Sequence, residues 1–282
     1  MTEMLNHILK SLGYGLMAIA LCYLARLIYK LNPSRGKLDW QLLSSKNKSA
    51  AVGAGGYFLA VIISLGGPIS WVSASFSEGA LEVIGFGTLA LALLNASMWI
   101  ADKTYLKCLH LDKKINKGSL GAGLLRAAHE VALAFVILGA SWGDSGGIWV
   151  MVYFWGLGQL LLAAAIKLYF TLAKLNLAVQ LEKDNTAAVL SAAGITVGLG
   201  FIAWAALSGP FLGWLRSTAE SAVYYAVGTL GMLVFRAAAD LALLPGATFR
   251  VEVLKKQGNI AIGILDASLT IGIAILMTWC LI

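Results

Sequence analysis

Charge is what this sequence has least of: Asp, Glu, Lys and Arg make up 12% of 282 residues, against roughly 25% in an ordinary soluble domain. Such a chain cannot cover a water-facing surface, and no stretch reads as a separate soluble domain. Proline is also scarce, at four residues against 31 glycines. That balance suits long helices whose small residues let backbones approach closely in lipid. The three cysteines, Cys22, Cys108 and Cys280, are far apart, which excludes a disulfide framework and a Cys-x-x-Cys zinc site. Of three histidines only His129 lies well inside an apolar run, so a haem held by two intramembrane histidines is excluded. No phosphate loop, no His-Glu-x-x-His and no Gly-x-Ser-x-Gly occurs, so enzyme activity is the least supported class and no cofactor is assigned.

What is present is hydrophobic sequence, 59% of the chain. Runs long enough to span the hydrocarbon core, about 20 residues at 1.5 Å each, fall near 8–30, 50–72, 81–101, 118–141, 147–172, 187–209, 219–244 and 259–281. The first run follows Lys10 and leads directly into Arg26 and Lys30 without a small-residue cleavage site, so it reads as a retained span. The expected fold is all-α: a polytopic membrane protein of about eight transmembrane helices.

The net charge of +7 would suggest a nucleic-acid partner in a soluble protein. Here the basic residues set topology instead. The first connection holds Arg35, Lys37, Lys46 and Lys48; the third Lys103, Lys107, Lys113, Lys114 and Lys117; the fifth Lys174 and Lys183; the seventh Arg250, Lys255 and Lys256. The second and fourth connections have no Lys or Arg, and the sixth has only Arg216. The positive-inside rule places the odd connections in the cytoplasm and both termini outside. Trp71, Trp142, Trp149, Trp214 and Trp279 then form an aromatic belt on the opposite side.

Each odd connection closes on an asparagine followed by small residues: KNKSAAVGAGG, INKGSLGAGLL, DNTAAVLSAAG and GNIAIGILDAS. Asn47, Asn116, Asn185 and Asn259 are expected as helix N-caps. Aligning them brings Gly56, Gly194 and Ser268 into one register, with Ala60, Gly198 and Gly272 four residues on, a small-residue stripe. The pattern describes a two-helix unit repeated four times, giving two parallel four-helix halves, residues 1–145 and 146–282.

The segments SSKNKSAAVGAGGY (44–57) and LEKDNTAAVLSAAG (181–194), each an amphipathic linker and an asparagine entering a glycine-bearing span, resemble the bacterial membrane family known as domain of unknown function 350. Members of about half this length carry two such units, so the chain is similar to two of them fused. The resemblance implies a bacterial inner membrane and a setting among envelope-stress and polyamine-related genes. It implies no catalytic residue.

The chemistry-bearing residues are the ionisable groups inside the spans. LLRAAHEVALAF carries Arg126, His129 and Glu130; LVFRAAADLALL carries Arg236 and Asp240; Asp266 lies in the eighth span and Asp102 ends the third. Arg126 with Glu130 and Arg236 with Asp240 are spaced i, i+4, so each pair shares a helix face and is expected to bond. An isolated charge at mid-membrane costs about 2.5–3.5 kcal/mol on insertion scales, so all are expected in one cluster between the halves. Two readings stand: a closed structural lock, or an ion- or proton-binding cluster with Glu130, His129 and Asp266 as its titrating or cation-binding groups. Asn95 and Gln159 read as interhelical hydrogen-bonding residues. The functional expectation is a small ion- or proton-linked transporter or channel-like protein. The alternative is a non-transporting scaffold in an envelope-stress complex. Expected partners are the lipid bilayer, further copies of the chain, or a membrane or cytoplasmic protein; nucleic acid is not among them.

Overall fold

The computed structural model describes residues 2–31, 35, 38–71, 75–142, 147–244, 246–255 and 258–281, with side chains described from residue 10 onward. Lys37, Lys256 and the boundary between 145 and 146 lie outside these residues. The described residues form thirteen α-helices: α1 (Thr2–Leu31), α2 (Leu38–Leu43), α3 (Lys48–Ser64), α4 (Gly66–Ser70), α5 (Phe76–Lys103), α6 (Leu111–Asn116), α7 (Leu120–Ala140), α8 (Gly147–Leu172), α9 (Leu177–Glu182), α10 (Thr186–Leu207), α11 (Trp214–Leu243), α12 (Phe249–Leu254) and α13 (Ile260–Leu281).

Eight helical segments are long and apolar enough to cross a membrane: Lys10–Leu31, Lys48–Ser70, Phe76–Lys103, Leu120–Ala140, Gly147–Leu172, Thr186–Leu207, Trp214–Leu243 and Ile260–Leu281. They match the expected spans. The third and seventh start earlier than hydropathy alone suggests, because their opening turns carry charge, Glu78 and Glu82 in one and Arg216 and Glu220 in the other. Backbone hydrogen bonding continues the helix there although the side chains are polar. In the second span Leu65 separates α3 from α4, and Pro68 follows in the first turn of α4, where its missing N–H does no harm.

The spans divide into two kinds. The even ones, α3, α7, α10 and α13, pack on one another in that order and form the most extensive helix–helix contacts of the molecule. The odd ones flank this row, and α1 and α11 in particular turn most of their apolar side chains outward. An apolar surface of that extent fits contact with lipid or another apolar surface rather than with water.

Small residues allow the row to close. A Cβ on Gly56 would collide with the Ala127 backbone across α3 and α7, and one on Gly194 with the Ala267 backbone across α10 and α13. The expected stripe therefore holds for α3 and α10 but not for α13. Ser268 is exposed and Gly272 has open space beside it; Gly263 and Ala267 face the seam instead. Helical periodicity is the reason: a position one residue away is rotated by about 100°.

A short helix of six residues stands before each even span: α2, α6, α9 and α12. After it one residue turns left-handed, namely Lys46 (φ 50°), Gly118 (φ 89°), Asp184 (φ 51°) or Gly258 (φ 39°). The next residue opens the span. Asn47 accepts from the Ala50 amide, Asn185 from Ala188 and Asn259 from Ile262, satisfying amides that enter lipid without partners. Asn116 is a correction. It is the last residue of α6 and accepts a hydrogen bond from Gln41 Nε2 at 2.6 Å, while Ser119 takes the N-cap position of α7. The left-handed residue here is Gly118, so the span opens three residues after the asparagine.

Candidate functional site

Arg126 and Glu130 lie on one turn spacing of α7 but do not bond each other. The Arg126 guanidinium reaches sideways to Asp102 at the end of α5 (Nη1–Oδ1 2.8 Å) and to Asp112 in α6 (Nη2–Oδ1 3.0 Å). Two carboxylates brought by neighbouring elements outcompete the one on its own helix, since each gives a short charge-assisted hydrogen bond. A second guanidinium enters from the connection after α1. Arg35 is buried and stands 3.6 Å from both Asp102 and Asp112, 3.5 Å from Glu130 Oε1 and 5.4 Å from the centre of the Tyr29 ring.

Glu130 is the innermost member. It is 1% exposed, and neither carboxylate oxygen has a hydrogen-bond partner among the described residues. The Arg126 Nε is likewise without one. Asp102 and Asp112 are partly exposed, with side chains at 29% and 23%, so the network runs inward from the lysine-rich face: two accessible carboxylates, two buried guanidiniums, one sealed carboxylate. With every member ionised, three carboxylates face two guanidiniums and one negative charge is in excess. A cavity of about 10 Å³ borders Arg35, Asp112 and Arg126, the volume on this measure that about one water molecule needs.

The second network lies in the other half of the sequence. Arg236 of α11 grips Asp266 of α13 with two bonds, Nε–Oδ1 at 2.9 Å and Nη2–Oδ2 at 2.7 Å. Ser191 of α10 donates to the same Asp266 oxygen. Asp266 is fully buried and both its oxygens are used. Asp240 does not pair with Arg236; it accepts from the Phe249 amide at 2.6 Å and so holds the start of α12. The expected single cluster between the halves is thus replaced by two networks, each of whose described ion pairs stays within its own half. Both i, i+4 expectations fail because neighbouring elements bring carboxylates within 3.0 Å of each guanidinium, Asp102 and Asp112 to Arg126 and Asp266 to Arg236.

His129 points elsewhere. Its Nε2 shares a 2.8 Å hydrogen bond with the Tyr105 hydroxyl, and burial pushes that phenol above its ordinary value, so it remains a proton donor. The pair forms the inner wall of a cavity of about 480 Å³ between α7, α8, α9 and α10 on the lysine-rich face. A larger cavity, about 580 Å³, opens on the opposite face, lined by Trp71, Phe86, Trp142, Trp204 and Phe211 among others. Trp71 therefore turns inward, donating to the Ser141 carbonyl at 3.1 Å, whereas Trp149, Trp214 and Trp279 are exposed as a lipid belt requires. Asn95 bonds Tyr57 across helices at 3.2 Å, while Gln159 Nε2, expected to do likewise, has no partner. Among the described residues no three His, Cys, Asp or Glu side chains gather as a metal site would require.

Arg35, Asp112 and Ser191 were not singled out by sequence. Arg35 and Asp112 sit in a charged connection where each looks like a topological or solvated residue, and Ser191 looks like one more small residue in a span. Their proximity to apolar stretches is the only signal, and it is shared by every loop charge in the chain.

The architecture is that of a polytopic α-helical membrane protein with buried charge. The family model for Domain of Unknown Function (DUF350) matches twice in tandem, over residues 3–141 and 144–281, and the chain belongs to that family. It is also similar to the UPF0719 transmembrane protein of Aquifex aeolicus (strain VF5), at 25% identity over 225 residues, covering 78% of this chain and 82% of the relative. No solved structure matches the chain.

Proposed function

We propose that the chain is a proton-linked membrane transport protein in which Glu130 is the proton-binding group. The observation that carries this reading is the Glu130 carboxylate: sealed in the core, with two oxygens that no donor satisfies, in a network one positive charge short. A buried acceptor without a partner costs about 1–3 kcal/mol, more when charged, so a fold that keeps one has a use for it. The cavity of about 10 Å³ beside Arg35, Asp112 and Arg126 has room for about one water and none for a polycation. Asp102 and Asp112, partly exposed, supply the entry from the lysine-rich face.

The topology that accompanies this reading has the odd connections in the cytoplasm of a bacterial inner membrane and both termini outside, supported by the lysine distribution. The tandem family match and the recurring left-handed turn before each even span support a duplicated four-helix unit, itself a duplicated helix pair.

Purified protein in liposomes enclosing a pH-sensitive dye, driven by a potassium diffusion potential, tests the reading. Wild type should acidify or alkalinise the lumen according to the sign of the potential, and Glu130→Gln should not. Equal rates for the two, with both proteins folded, overturn it. The scaffold reading is favoured by a different observation, the Arg236–Asp266–Ser191 network, in which every Asp266 oxygen is satisfied as in a lock. It predicts that Asp266 variants lose assembly or stability with no flux phenotype of their own.

A further inference from the structure

The cavity beside His129 is unexplained by the charge network, and its walls have two chemistries. Leu125, Ile166, Phe170 and Leu177 make its body apolar, while Lys167 and Lys174 stand at its rim, both exposed. Neither ammonium has an ion-pair or hydrogen-bond partner among the described residues. Lys167 lies in the last turns of α8 and Lys174 just past its end, so the rim stands where the helix leaves hydrocarbon for the headgroup layer. From there the cavity runs inward to His129, ten residues into α7, or about 14 Å at 1.5 Å per residue. The volume, about 480 Å³, is within the range of ligand-binding cavities, roughly 300–1,000 Å³.

An apolar slot in the membrane wall with two cations at its rim is complementary to one kind of molecule. We infer that this cavity is a binding site for an anionic phospholipid of the lysine-side leaflet, its phosphate held between Lys167 and Lys174 and one acyl chain laid against Leu125, Ile166 and Phe170. Basic pockets between transmembrane helices recognise lipid headgroups by this arrangement. A soluble anion would leave the apolar walls uncovered, and a zwitterionic lipid would bring its own cation against the lysines. The Tyr105 hydroxyl and His129 Nε2, bonded to each other, lie with Thr196 in the wall that the chain would meet. The site is independent of any proton role for Glu130.

Cys108 borders the cavity and is exposed, so the chain carries its own reporter. With Cys22 and Cys280 replaced by alanine, the rate of Cys108 alkylation by N-ethylmaleimide is measured in phosphatidylcholine vesicles containing increasing phosphatidylglycerol. Phosphatidylglycerol should slow the reaction saturably. At about 1 kcal/mol per lysine near the surface, Lys167→Gln or Lys174→Gln should move the midpoint about fivefold, and the pair together about thirtyfold. Ala178→Trp, which fills the cavity, should make the rate independent of lipid. Lys113→Gln with Lys117→Gln, on the same face but outside the cavity, should leave the midpoint unchanged. The inference is overturned if the rim variants keep the wild-type midpoint, or if the control pair shifts it equally, which would indicate surface potential alone. It is also overturned if a neutral isoprenoid quinone in phosphatidylcholine protects Cys108 as well as phosphatidylglycerol does.

Discussion

The Arg35 guanidinium stands 3.5 Å from the Glu130 carboxylate and donates no hydrogen bond to it. The contact is one of charge, across a gap, in a network whose other short bonds all belong to Arg126. The two arginines are therefore unequal: Arg126 holds the structure, and Arg35 faces the open carboxylate.

Arg126→Leu should destabilise by about 1.5–3 kcal/mol, because it removes the charge-assisted hydrogen bonds to Asp102 and Asp112 and leaves them only the longer contacts to Arg35. Glu130→Gln should cost far less than Arg126→Leu, since the carboxylate it replaces has no hydrogen bond to lose and only a 3.5 Å contact with Arg35. Thermal unfolding of both variants in the same detergent gives the comparison; a Glu130→Gln protein as unstable as Arg126→Leu would contradict the geometry.

In the second network the order reverses. Asp266→Ala strips Arg236 of two bonds and Ser191 of its acceptor, with an expected loss of about 3–5 kcal/mol. Replacing both charges, Asp266→Leu with Arg236→Met, should recover most of it, because apolar side chains need no partner in that setting. A double variant no better than the single one would mean that the pair does more than neutralise itself.

Asn185 does more than cap α10. Its amide also donates to the Val253 carbonyl and to Gln180 Oε1, both at 2.9 Å, whereas the described side-chain bond of Asn259 is the cap alone. Asn259→Ala should cost about 1 kcal/mol and Asn185→Ala about 2–3 kcal/mol. Asn47, which caps α3 and donates to the Ile115 carbonyl at 2.9 Å, should resemble Asn185. Unfolding midpoints of the three alanine variants rank them directly.

Gly56→Ala and Gly194→Ala should each destabilise by about 1–3 kcal/mol, since the added methyl meets the backbone of a facing helix that cannot turn aside. Gly55→Ala and Gly272→Ala, beside open space, should be tolerated. Equal behaviour of Gly56→Ala and Gly55→Ala would remove the α3–α7 seam from the account.

One pH effect has a clear sign. Lys30 and Arg26 bond Asp39 and hold its carboxyl below the ordinary aspartate range. A group whose folded value is depressed stabilises above its unfolded value and loses that contribution as pH falls through the folded one. Acidification below the ordinary aspartate value should therefore loosen α2 from the end of α1, seen as faster backbone hydrogen exchange at Leu38–Leu43. Asp39→Asn should show that exchange at neutral pH and no further change in acid.

Sequence determined the membrane class, the eight spans and the asparagine caps of three of them, because these follow from local properties: apolar length, charge density and the needs of unpaired backbone amides at a helix entrance. It could not assign the cap of α7, which falls to Ser119 three residues beyond Asn116, nor the seam-facing residues of α13, where a register displaced along the helix puts Gly272 on the wrong side. Sequence likewise marked Arg126, Glu130, Arg236 and Asp266 as buried charges. Which of them bond was decided by tertiary structure alone. A spacing of four residues states only that two side chains share a helix face; the partner is whatever the neighbouring helices bring within about 3 Å. Asp102 and Asp112 arrive beside Arg126, Asp266 beside Arg236, and Glu130 is left open.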